Sequence, residues 1–180
     1  VIVNATPNVI ATTDKVACNN STVAAVNFST TNTVGATTYA WTNNKTSIGL
    51  AASGTGNIAS FTAVNNGTAP DTATIIVTPT FANGGTNCVG TKDTIYVVVN
   101  PTAKINAIAD KAACNGSVVA ATMPTSTATG GTVTYTWTNN TTSIGLAASG
   151  TGAIPSFTAT NTGSTAITST IIVTPTFTNG

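Results

Sequence analysis

The sequence has no histidine, no arginine and no glutamate, and its only charged side chains are five lysines and four aspartates, 5% of 180 residues. General acid–base catalysis draws mainly on His, Glu, Asp, Lys, Tyr and Cys, gathered into sets with tuned pKa values. The few candidates here form no recognisable set, so no enzymatic activity is expected. A nucleic-acid binder needs a basic stripe to neutralise phosphates, and a membrane-surface helix needs Lys or Arg along one face. Neither is present, and the formal net charge is only +1. No apolar run approaches the roughly 18 residues of a membrane-spanning helix. No Cys/His cluster suggests a metal, and no cofactor is expected. Typical soluble domains are about 25% charged; here Thr, Asn, Ser and Ala fill the gap. A polar surface with so little self-repulsion permits close lateral packing and favours association.

What the sequence does have is itself, twice. Residue i aligns with residue i+96 without a gap from Val1/Val97 to Gly84/Gly180. The longest shared stretches are Trp41-Thr-Asn-Asn, Thr46-Ser-Ile-Gly-Leu-Ala-Ala-Ser-Gly-Thr-Gly56 and Thr74-Ile-Ile-Val-Thr-Pro-Thr-Phe81, which recur from Trp137, Thr142 and Thr170. A period of 96 residues suits one small domain per repeat. Val1-Ile-Val-Asn4 aligns with Val97-Val-Val-Asn100, the close of the first repeat. Residues 1–4 therefore read as the last strand of a preceding repeat, 5–100 as repeat 1, and 101–180 as repeat 2 lacking its final strand. Both ends read as cut from something longer.

The abundance of Thr, Val and Ile, stiff residues that suit a pleated sheet, predicts an all-β chain. Candidate strands in the first repeat are 7–13, 22–28, 37–42, 57–64, 72–81 and 92–99, with a matching set in the second. Asn66-Gly67, Asn83-Gly84 and Gly84-Gly85 are turn dipeptides, because Asn and Gly tolerate positive φ. Pro79, late in a strong strand, suggests an edge or a bulge. Ala73, Ile75 and Val77 alternate with Thr72, Thr74 and Thr78, one set on each face. Short strands of this kind, several per domain, predict tandem immunoglobulin-like β-sandwiches. Tyr39 and Trp41, with Tyr135 and Trp137, share a strand face and are expected to anchor the core. The competing reading makes each pair an exposed aromatic platform for a sugar ring.

Cys18 and Cys114 are repeat equivalents, whereas Cys88 has no counterpart within the chain. Four of the candidate strands separate Cys18 from Cys88, and an even number of antiparallel passes returns the chain to its starting end. A Cys18–Cys88 disulfide is therefore expected, closing about 70 residues and worth roughly 4 kcal/mol on chain-entropy grounds. Cys114 would stay unpaired, and the setting would be oxidising and extracellular. The nearly unchanged stretch from Trp41 to Gly56 has two readings. In one, Ile48 and Leu50 plug the core while Gly54 and Gly56 supply turn conformations. In the other, this loop and its equivalents Ile144, Leu146, Gly150 and Gly152 contact the next repeat or a neighbouring chain.

The Val99-Asn-Pro-Thr102 junction, the Cys-Asn-Gly/Asn step, Trp-Thr-Asn-Asn, Ser-Ile-Gly-Leu-Ala-Ala-Ser-Gly-Thr-Gly and Thr-Ile-Ile-Val-Thr-Pro-Thr together resemble the PKD-like immunoglobulin-type repeats of Bacteroidota surface proteins. The resemblance covers both repeats. It implies long secreted proteins related to gliding adhesins, in which tandem domains form a stalk. The chain has Trp-Thr-Asn-Asn in place of the Trp-Asp-Phe-Gly-Asp-Gly signature of ordinary PKD domains, so the resemblance is to the PKD-like group. It also implies O-glycosylation at Asp-Thr steps, which here are Thr72 and Thr94.

The expected function is a structural repeat of an extracellular bacterial filament or adhesin stalk. Its partners would be neighbouring repeats and copies of itself, assembled laterally or head to tail, together with glycans. The alternatives are a carbohydrate-binding module using Tyr39 and Trp41, an ice-binding module using flat rows such as Thr132-Val-Thr-Tyr-Thr-Trp-Thr138, or a spacer attached to a secreted enzyme.

Overall fold

A computed structural model of the chain describes residues 1–179; Gly180, the last position of the repeat match, lies outside the described residues. The fold is almost wholly β, and it divides into two compact units, Val1–Thr102 and Ala103–Gly180. No helix among the described residues is long and apolar enough to cross a membrane.

In the first unit the strands are β1 (Lys15–Cys18), β2 (Thr22–Val23), β3 (Ala36–Asn43), β4 (Ser53–Thr55), β5 (Phe61–Thr62), β6 (Asp71–Asn83), β7 (Thr86–Val89) and β8 (Asp93–Asn100). A six-stranded sheet runs in the order β1-β8-β6-β3-β4, with β7 continuing the β8 side of β6 as a hairpin, while β2 and β5 pair separately. Every pairing is antiparallel except β1 with β8, where Lys15 faces Val97 and Cys18 faces Asn100 in parallel. The core lies between the two sheets. Val23 and Ile58 meet Trp41, Ile75, Val77, Ile95, Val97 and Val99 there, all nearly inaccessible. The alternation of β6 explains its part, since Ala73, Ile75 and Val77 point inward while their neighbours look out.

Two sequence features acquire geometry. Asn83 faces Thr86 across Gly84 and Gly85, whose φ values are 59° and 78°. Positive φ at both central residues makes the tight two-residue hairpin that Gly-Gly allows. Pro79 does sit in a central strand, opposite Tyr39. Its carbonyl accepts from the Gly90 N–H at 2.9 Å, so its nitrogen points to the gap where β7 has ended and β8 has not begun. The missing N–H therefore costs the ladder nothing.

Other expectations are corrected. Residues 7–13 form no strand; the Ile10 N–H donates to the Ser29 carbonyl, and the Asn8 side chain holds Thr30 and Thr31. The first strand is β1 instead, because β8 offers its backbone to Lys15–Cys18. Strands β4 and β7 were unforeseen. Residues 1–4 form no strand either; Asn4 and Asn83 exchange side-chain hydrogen bonds at the hairpin.

The second unit contains β9 (Val118–Val119), β10 (Thr132–Asn139), β11 (Ser149–Thr151), β12 (Phe157–Thr158) and β13 (Ile171–Thr178). The sheet order is β11-β10-β13, and β9 pairs with β12. β9 to β12 match β2 to β5 residue for residue at the repeat spacing, and β13 matches the 75–82 part of β6, with the same pairing and register. The described residues place no strand on the far edge of β13, where β6 carries β8, and 111–114 are not in a strand. The buried cluster shrinks accordingly, from fifteen residues to Trp137, Leu146 and Ile154.

Candidate functional site

The stretch 41–56 and its equivalent 137–152 are nearly unchanged between the repeats, and several of the shared residues have a task inside their own unit. Trp41 is 7% exposed and Trp137 3%. The indole of each lies flat across a glycine of the paired strand. A Cβ on Gly54 would approach Trp41 Cζ2 to 2.3 Å, and one on Gly150 would approach Trp137 Cζ2 to 2.4 Å. Gly54 is therefore required by contact and not by a turn. Gly56, with φ 70° and nothing near its absent side chain, is the turn residue.

Asn43 and Asn139 are buried polar side chains, and they organise the loop. The Asn43 amide donates to the carbonyls of Lys45, Leu50 and Ala51 at 3.0 to 3.2 Å, while its Oδ1 accepts from the Lys45 N–H. Asn139 repeats this with Thr141, Leu146 and Ala147. The next residue pins the following strand: Asn44 Oδ1 accepts from Thr74 N, and Asn140 Oδ1 from Thr170 N, each at 2.8 Å. The loop so held drives Ile48 and Leu50 into the core, and likewise Leu146, with Ile144 half-buried. These side chains are consumed within their own unit, while the shared Thr46, Ser47, Ala51, Ala52, Ser53 and Thr55 face outward. The repeat match marks this stretch without singling out Asn43 and Asn139 as its organisers. An Asn directly after the core Trp-Thr and directly before the loop was the available signal.

Tyr39 is half-buried and tilted against Phe28, with ring centroids 5.4 Å apart. Burial raises its phenol pKa above the ordinary value. With Trp41 enclosed, Tyr39 and Trp41 make no exposed platform, so the sugar-stacking reading of that pair fails on geometry.

The disulfide expectation is also corrected. All three cysteines are free thiols, Cys18 and Cys114 exposed and Cys88 partly so. Cys18 faces Asn100, beside the Val99–Asp71 end of β6, whereas Cys88 faces Phe81 near the other end. Ten strand residues, about 33 Å, separate those ends of β6, while a disulfide requires Cα atoms within about 7 Å. The chain does not return to its starting end because β4, inside a stretch that reads as loop, adds a fifth pass between the two cysteines.

Thr72 and Thr94 are both exposed on the outer face of the large sheet. Lys45 and Asp71 form an ion pair that Ser47 joins through Asp71 Oδ2, but the second unit has Thr141 and Ile167 at those positions, so this cluster does not recur. On the outer face of β10 and β13, Thr132, Thr134 and Thr136 stand exposed opposite Thr178, Thr176 and Thr174, an unbroken ladder of hydroxyls. Among the described residues no group of three or more His, Cys, Asp or Glu lies close enough to hold a metal. No protein-family model matches the chain, and no curated protein matches it at a significant level.

Proposed function

We propose that this chain is a pair of tandem immunoglobulin-like β-sandwich repeats of the PKD-like kind, forming part of a long extracellular bacterial filament or adhesin stalk and performing no catalysis. One observation carries the reading. Residues that build the fold, namely Trp41, Asn43, Asn44, Ile48, Leu50 and Gly54, all recur at 96-residue spacing. A sequence that repeats its scaffold, while its surface ion pair Lys45–Asp71 does not recur, fits an array of structural repeats. The near absence of charge suits close packing against neighbours. Electron microscopy of native particles carrying this chain tests the proposal. Strings or filaments with a repeating unit of one small domain are expected, and a compact particle without such a repeat would sink it.

A second reading, recognition of an ordered hydroxyl or water lattice such as ice, is favoured by the threonine ladder of β10 and β13. Inhibition of ice recrystallisation by the chain, abolished by Thr134→Lys, is the result that would favour it over the stalk.

A further inference from the structure

We infer that the outer face of the six-stranded sheet in the first unit is an interface, and that its occupant is the same face of a second copy of the chain. Paired residues share a face of a sheet, so the ladder that turns Ala73, Ile75 and Val77 into the core also defines what stands outside. On β1 and β8 that is Val16, Val98 and Tyr96, and on β6 it is Ile76 between Thr74 and Thr78. Val98 faces Val16 directly, and Tyr96 follows on the same face of β8. Ile76 lies diagonal to Tyr96 across the β6–β8 ladder, within reach of its ring. Val16 is 60% exposed, Tyr96 47% and Ile76 38%, so an aliphatic and aromatic band crosses the sheet in the open. None of the four belongs to the core of its own unit.

Charge selects the occupant. The strands of this sheet hold three charged residues, Lys15, Asp71 and Asp93, and each opens its strand on the inward side, paired with Val97, Val99 and Val77 respectively. The outward positions carry none among the described residues. Such a face offers no steering or ion pairing to an acidic, basic or phosphate-bearing partner, whereas a face like itself covers it without stranding a charge. The formal net charge of +1 leaves little repulsion between copies. Size agrees with this. At about 3.4 Å per residue and 4.8 Å between strands, the roughly forty strand residues cover about 650 Å² of plane, so a pair covers about 1,300 Å², within the range of stable specific interfaces. A twofold axis through the sheet lays β6, its middle strand, against itself and brings Ile76 beside its own copy. The second unit keeps the uncharged pattern, with Ile172 opposite Thr138 as Ile76 is opposite Thr42. Face-to-face pairing gives the proposed filament its lateral interface and rests on that reading for its setting alone, since a stalk joined only end to end needs no such face.

Sedimentation equilibrium of the intact chain, from about 1 μM to about 1 mM, is expected to show a reversible dimer. Ile76→Lys is expected to raise its dissociation constant about 100-fold, because two lysines would meet at the axis. Ile76→Asp is expected to do the same alone, and an equimolar mixture of the two variants is expected to dimerise again, a recovery that misfolding does not give. The urea midpoint of each variant checks that the fold is kept. Should residue 76 not tolerate a charge, Val16→Lys/Tyr96→Lys on the flanking strands carries the same test. A chain that stays monomeric throughout, or a dimer indifferent to all these charges, would overturn the inference. So would a monomer that binds ice or soluble polysaccharide through this face and loses that binding in Ile76→Lys. Native filaments built from a chain that is monomeric or indifferent in these tests would remove the face-to-face pairing and leave the stalk standing.

Discussion

Gly54 shows why one residue type can be compulsory without any unusual backbone. The Trp41 ring occupies the space a methyl group would need. Gly54→Ala is therefore expected to destabilise the first unit by about 1–3 kcal/mol, as overpacked cores do, measured as a lower urea midpoint. Asn43→Ala strands three loop carbonyls near the core. A loss of about 2–3 kcal/mol is expected, with faster amide exchange across 45–51. Tyr39 supplies a pH dependence whose sign is fixed by its raised pKa. The folded state prefers the neutral phenol, so its contribution is whole below the unfolded value near 10 and is lost as the pH rises through the folded one. A thermal midpoint that falls more steeply above about pH 10 in the native chain than in Tyr39→Phe would show it. The Trp anchors were legible from the sequence because a large aromatic on an alternating strand has few places to go. The role of Gly54 was not, because nothing local in Ser-Gly-Thr reveals that an indole lies on top of it.

At the scale of elements, the lesson lies in β4. Three residues, Ser53–Thr55, pair with β3 inside a stretch that reads as loop, since serine and glycine signal turns and not strands. The long strands β3, β6 and β8 were readable from their alternation, whereas β1, β4 and β7 exist because a neighbour offers its edge. Such strands are tertiary in origin and leave little local trace. The cost of missing β4 was the disulfide. With the cysteines at opposite ends of the sheet, a reductant is expected to leave the urea midpoint of the first unit unchanged. Thiol titration of the unfolded chain is expected to find all three cysteines reactive without prior reduction. Cys18→Ser, at an exposed position, should shift stability by no more than about 0.5 kcal/mol.

For the whole molecule, each unit's cohesion follows from how many strands close its core. The first unit buries Ile95, Val97 and Val99 of β8 against β6, and the second has no such layer among the described residues. The parallel pairing of β1 with β8 has a further consequence when the ends of the first unit are pulled apart. The load enters β1 at Lys15 and leaves β8 at Asn100, at opposite ends of one ladder. Its hydrogen bonds then resist in shear, all together, where a hairpin would unzip one bond at a time.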